Sequence, residues 1–125
     1  MIHRVPPGLI GTEGVPDWME GCSTLKIDGY IDDVGNKVVP VEIRGITLKT
    51  LYEKYHSNFD FIQIDTEGFD YDIFLQIMQN GLTSALYKIE IAHITYVKAV
   101  WMRWVLENHG YKTFIDGYDL IAYRF

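Results

Sequence analysis

Two carboxylates, Asp65 and Glu67, follow directly on an apolar run in the segment FDFIQIDTEGFDYD, residues 59–72. The run reads as a buried strand that ends in Asp-x-Glu-Gly and gives way to a helical pattern. In open α/β sheets, ligands bind in the crevice beyond the carboxyl ends of the strands. Two carboxylates stranded there cost desolvation unless something pairs or uses them. One chemistry open to Asp65 is to position or deprotonate a substrate hydroxyl, or to hold a metal that does so. The competing reading is that Asp65 and Glu67 cap the helix starting near Phe69, where carboxylates complement exposed N–H groups. Asp70 and Asp72 bring the count to four carboxylates in eight residues. They lack the DxDxDG-to-Glu spacing of a calcium loop and read as solvent-exposed first-turn helix residues. No metal ligand is assigned.

A second group lies further on. Glu90 sits inside the apolar segment LYKIEIA, residues 86–92, and His93 comes three residues later. If the two strands are neighbours, His93 falls next to Asp65, and a Glu/His/Asp grouping at one sheet edge supplies a general base. The alternative is structural, with Glu90 paired to Lys88, Arg103 or Arg124. Both readings stay open. The single cysteine, Cys22, has no zinc-ligand spacing around it and reads as a small hydrophobe. Trp18 reads as a hydrophobic anchor, and His56 and His109 fall near helix C-termini, where a partial positive charge is favourable.

These residues need elements to position them. Residues 1–22, rich in Gly and Pro, read as an irregular N-terminal arm. Ser23–Ile31 and Lys37–Arg44 read as strands around the turn-prone Asp32–Asn36, with Pro40 pointing to an edge position. Leu48, Leu51, Tyr52 and Tyr55 recur at helical spacing behind Thr47 as N-cap. Ile73, Phe74, Ile77 and Met78 mark a second helix, closed by Asn80-Gly81. A third carries the stripe Val97, Val100, Trp101, Trp104 and Val105, read as its core face, and is closed by Gly110. Tyr111–Ile115 and Leu120–Phe125 flank the turn Asp116–Asp119 as a hairpin. The order is β-β-α-β-α-β-α-β-β, and its central alternation builds a parallel sheet with an antiparallel hairpin at the end.

Composition narrows the function classes. The chain has 125 residues, 48% of them hydrophobic and eighteen aromatic, enough for one core, and reads as a single domain over 1–125. A net charge of −6 disfavours binding to a phosphate backbone, so no nucleic-acid partner is expected. The N-terminus has no apolar signal-peptide core and no run reaches membrane-spanning length, so a soluble cytoplasmic protein with no membrane partner is expected.

The stretches ITLKTLYEKY, FDFIQIDTEGFDYDIF and YKIEIAH resemble the C-terminal half of FkbM-type methyltransferases, and WMEGCSTL (18–25) is similar to that family's Gly-Ser region. The resemblance covers roughly residues 16–125. It implies a three-layer, Rossmann-like α/β methyltransferase sheet, mostly parallel with a C-terminal antiparallel hairpin. It implies S-adenosylmethionine as cofactor and methyl transfer to a hydroxyl of a small molecule or sugar. Asp65, Glu67, Glu90 and His93 would be catalytic, and Asp65, Thr66 and Gly68 would meet the cofactor. Two departures stand out. Lys49 replaces the Asp usual in the family's Thr-Leu-Asp helix start, and no G-x-G lies between a strand and a helix. The expectation is therefore a truncated methyltransferase domain, either a split or truncated gene product or a piece whose partner is encoded elsewhere. Its rivals are a non-catalytic remnant or subunit that forms a homodimer or pairs with a separately encoded cofactor-binding half, and a metal-dependent hydrolase using the acidic cluster.

Overall fold

A computed structural model of the chain describes residues 2–4, 6–10, 12, 15, 23–24, 38–55 and 59–125. Cys22, Trp18, His56, most of WMEGCSTL and the 25–37 stretch fall outside the described residues. The chain groups into two compact units: 1–45 with 66–69, and 46–65 with 70–125.

In the first unit, β1 (Ile2–Arg4) lies between β2 (Ser23–Thr24) and β3 (Val39–Val41), antiparallel to both. His3 pairs with Pro40, which has no N–H to donate, and β3 is accordingly an edge strand, as Pro40 led us to expect. The described residues of the 1–22 stretch include regular elements. Besides β1 they contain a 3₁₀ turn at Pro7–Leu9, closed by Leu9 N donating to Pro6 O at 3.0 Å. Proline's fixed φ suits that tight start, while a three-residue strand is too short to leave a periodic signal.

The second unit holds the larger sheet. Its elements are α1 (Leu48–Tyr55), β4 (Phe61–Ile64), α2 (Asp70–Asn80), β5 (Leu86–Glu90), α3 (Tyr96–Asn108), β6 (Lys112–Asp116) and β7 (Asp119–Tyr123). The Thr47 hydroxyl caps α1 by accepting from Thr50 N at 3.1 Å. Gly81 (φ 95°) and Gly110 (φ 85°) close α2 and α3 in the left-handed conformation that glycine adopts without strain.

The sheet order is β4-β5-β7-β6. It is mixed: β4–β5 is a parallel pair, and β5–β7 and β6–β7 are antiparallel, so β4, β5 and β6 run one way and β7 the other. The reason is that β7 returns along β5, so only the pair bridged by a helix runs parallel. On β5, Tyr87 and Ile89 are buried on the face shared with Leu120 and Ala122 of β7. Against that face pack Phe74 and Ile77 of α2, and Met102, Val105 and Leu106 of α3. Both helices thus join one core on this face of the sheet.

Three sequence expectations change here. β4 is not buried throughout. It is a sheet edge with Ile64 buried but Phe61 and Gln63 exposed. On α3 the core residues are Met102, Val105 and Leu106, while Val97, Val100 and Trp104 face solvent; Trp101 packs on Phe74 and Tyr71. Asp70 is fully buried in the first turn of α2, not exposed.

A buried polar cluster fixes the start of β5. The Ser84 hydroxyl donates to Phe59 O at 2.6 Å, and Tyr111 Oη donates to Ser84 O at 2.6 Å. Ser84 N donates to Tyr87 Oη at 3.1 Å, and burial pushes the Tyr87 hydroxyl pKa up, keeping it neutral. Tyr111→Phe, which strips the Ser84 carbonyl of that donor, should cost about 1–3 kcal/mol in urea unfolding. Tyr118→Phe, on the exposed hairpin turn, should stay within about 0.5 kcal/mol of the wild type.

Candidate functional site at the carboxyl end of the parallel pair

The register of β4 and β5 decides which residues meet. Their last matched pair is Ile64 with Ile89, so Asp65 and Glu90 follow one step beyond it at the ends of adjacent strands. The adjacency that the Glu/His/Asp reading required is therefore present. Across β5 on the other side, Glu90 is level with Asp119 of β7. Asp119 was read only as a turn residue. The alternation of DLIAY, which buries Leu120 and Ala122, is the signal that would have put Asp119 on the same face as Glu90.

His93 sits in a turn directly after β5. Ile94 N donates to Ile91 O at 3.1 Å, which leaves Ala92 and His93 at the turn's centre, and Ile91 N is anchored to Tyr118 O at 2.7 Å. This brings a His93 ring nitrogen within 4.8 Å of a Glu90 carboxylate oxygen. Glu90 is half-buried and His93 exposed.

The structural pairing considered for Glu90 meets competition. Lys88 bridges Asp119 at 3.1 Å, Arg103 bridges Glu107 at 2.8 Å, and Arg124 donates to the carbonyls of His109 and Leu82. All three cations thus hold other partners. The Glu107 carboxyl is accordingly kept below the usual carboxylate range, first by the Thr113 hydroxyl and then by Arg103.

Asp65 is exposed at the end of β4. The helix that follows starts at Asp70, so its cap position is Phe69, four residues beyond Asp65 and two beyond Glu67. Neither carboxylate is itself the residue at that position. Glu67 has a φ of 53°, and among the described residues it is the one non-glycine with positive φ. The left-handed region costs an L-residue about 1–2 kcal/mol, and such strain concentrates at functional sites. Gly68 follows at φ 107°, open to glycine alone, while Thr66 and Gly68 are both half-buried.

The FkbM methyltransferase domain matches this chain over residues 9–113. The chain belongs to that family. The match takes in Asp65–Gly68 and the Glu90–His93 turn, and the family generally uses S-adenosylmethionine. Comparison with curated proteins and with solved structures returned no significant match. Among the described residues, no helix of this FkbM domain is long and apolar enough to cross a membrane.

The strain at Glu67 is testable by stability alone. Glu67→Gly relieves the strain but gives up the interactions of the Glu67 residue and adds chain entropy, so its unfolding free energy reads the balance of these. Gly68→Ala should lose more than about 1 kcal/mol, its φ being closed to a Cβ. Thermal unfolding of both variants reads the difference. A loss above about 2 kcal/mol in Glu67→Gly would mean that side-chain contacts, not function, hold the strained turn.

Proposed function

We propose that this chain is an S-adenosylmethionine-dependent O-methyltransferase domain with a Rossmann-like site at the carboxyl ends of β4 and β5. The observation that carries the reading is the family match, which spans the strained Asp65–Gly68 turn and the Glu90–His93 pair together. The turn suits a bulky ligand, because Gly68 offers no Cβ and a backbone at positive φ allows close approach. Asp65, Thr66 and Gly68 would hold the cofactor there.

When bound, S-adenosylmethionine supplies a methyl group on a positively charged sulfur, open to attack by an oxygen nucleophile. The residues of the chain do the rest. Asp65 and Glu67 would present negative charge to the bound cofactor and orient the acceptor hydroxyl. His93 would take the hydroxyl proton on a ring nitrogen, and the Glu90 carboxylate would stabilise the resulting imidazolium. Most of the acceleration comes from holding oxygen in line with the methyl carbon.

Isothermal titration with S-adenosylhomocysteine tests the assignment. The chain should bind it, and Asp65→Ala should weaken binding at least tenfold, about 1.4 kcal/mol. His93→Gln should leave affinity unchanged, since its role is toward the acceptor. Absence of heat at high ligand concentration, with the chain folded by circular dichroism, would rule out cofactor binding by this chain alone.

A further inference from the structure

α3 carries more apolar surface than its core uses. Its inner side buries Met102, Val105 and Leu106. Its outer side leaves Tyr96 83%, Val97 75%, Val100 47% and Trp104 59% exposed, and Ile115 of the neighbouring β6 is 54% exposed. A helix that is apolar all round normally has both sides covered. Next to this stripe, between α3 and the β6–β7 hairpin, lies a cavity of about 380 Å³ walled mostly by apolar residues, among them Ile91, Ile94, Ala99 and Leu120, with Arg103 its one charged lining residue. One helix therefore carries both an exposed indole and an apolar hole.

We propose that this face binds a second copy of the chain in a two-fold pair, with Trp104 of each copy entering the cavity of the other. A two-fold interface brings one patch against itself, so it needs a projection and a recess on the same surface. With the two α3 helices antiparallel and Val100 at the axis, the partner's Trp104, four residues beyond Val100, lies level with Tyr96, four residues before it. Tyr96 stands at the cavity wall. The recess is large enough for an indole, and a buried aromatic anchor in an apolar pocket is the usual centre of a tight interface.

Area and charge both favour a copy of the chain over other occupants. The exposed parts of Tyr96, Val97, Val100, Trp104 and Ile115 amount to roughly 600 Å² per copy, close to the ~800 Å² per partner of a standard interface. Two chains each of net charge −6 repel unless they meet through a neutral patch. The centre of this patch carries no charge: Arg103 at its border is paired with Glu107 at 2.8 Å, and the Lys98 ammonium, still charged, lies over the Tyr71 ring at 4.5 Å. An anionic membrane would instead require a cluster of free lysines and arginines around the apolar residues.

Sedimentation equilibrium over a wide concentration range decides the matter. The wild-type chain should reach twice its 14.5 kDa mass. Trp104→Asp should raise the dissociation constant at least ~30-fold, as expected on losing a central anchor. Its far-UV circular dichroism should not change, because the side chain is mostly exposed. Ala99→Trp, which fills the recess from within its own chain, should weaken the dimer without touching the projecting indole. Tyr118→Asp, on the exposed hairpin turn, should dimerise like the wild type. A wild type that stays at 14.5 kDa throughout, or a Trp104→Asp dimer as tight as wild type, overturns the proposal.

Discussion

The pairing of Ile64 with Ile89 across the parallel strands β4 and β5 is the constraint on which the candidate site depends. Side chains alternate along a strand, so a slip of one residue would move Ile64 out of the core and Asp65 out of level with Glu90. Burial opposes that slip. Ile64 and Ile89 both sit in the core with Phe74 and Ile77 of the helix that bridges the two strands. Burying one such side chain contributes roughly 1.5–3 kcal/mol, a large fraction of the whole stability of a small domain. At the opposite end of the pair, Leu86 N donates to Asp60 O at 3.1 Å and the Ser84 hydroxyl donates to Phe59 O. Those bonds fix where β5 begins, and its register fixes where it ends.

β5 also answers to β7. The Lys88–Asp119 bridge spans them at 3.1 Å, but both groups are partly exposed, which limits it to about 1 kcal/mol or less. The backbone ladder and the buried pairs Tyr87–Ala122 and Ile89–Leu120 outweigh it. The bridge matters more for chemistry. It occupies Lys88 and Asp119, so the nearest lysine on β5 is turned toward Asp119 while Glu90 stands beside His93.

What the sequence revealed follows from what leaves a periodic signal. α1, α2 and α3, their glycine stops and the Thr47 cap were legible because apolar spacing and capping residues are local. The inner face of α3 was not. Val97, Val100 and Trp104 are as apolar as Met102, Val105 and Leu106, so spacing alone could not say which side meets the sheet. β4 read as buried because FDFIQI is rich in apolar residues, yet strand order is a tertiary property and placed it at an edge. Burial of Asp70 and the left-handed turn at Glu67 were equally hidden, since an acidic residue in a first helical turn ordinarily faces water and positive φ is ordinarily left to glycine. The adjacency of Asp65 and Glu90 was anticipated conditionally and depended on β4 and β5 being neighbours.

The four residues from Ile91 to Ile94 carry two loads at once. Glu90 and His93 face each other at the sheet end, while Ile91 and Ile94, the neighbours of each, wall the apolar cavity beside α3. The turn is closed by one 3.1 Å hydrogen bond and tied to the hairpin by another at 2.7 Å, so its isoleucines cannot shift without moving the imidazole. A general base is useful only when held within hydrogen-bonding reach of its proton, and small displacements are costly. Filling the cavity with an apolar side chain would press on Ile91 and Ile94 and narrow the positions open to His93. The packing beside an outward helix face and the position of His93 at the sheet end are thus one mechanical problem, set by neighbouring residues of a single turn.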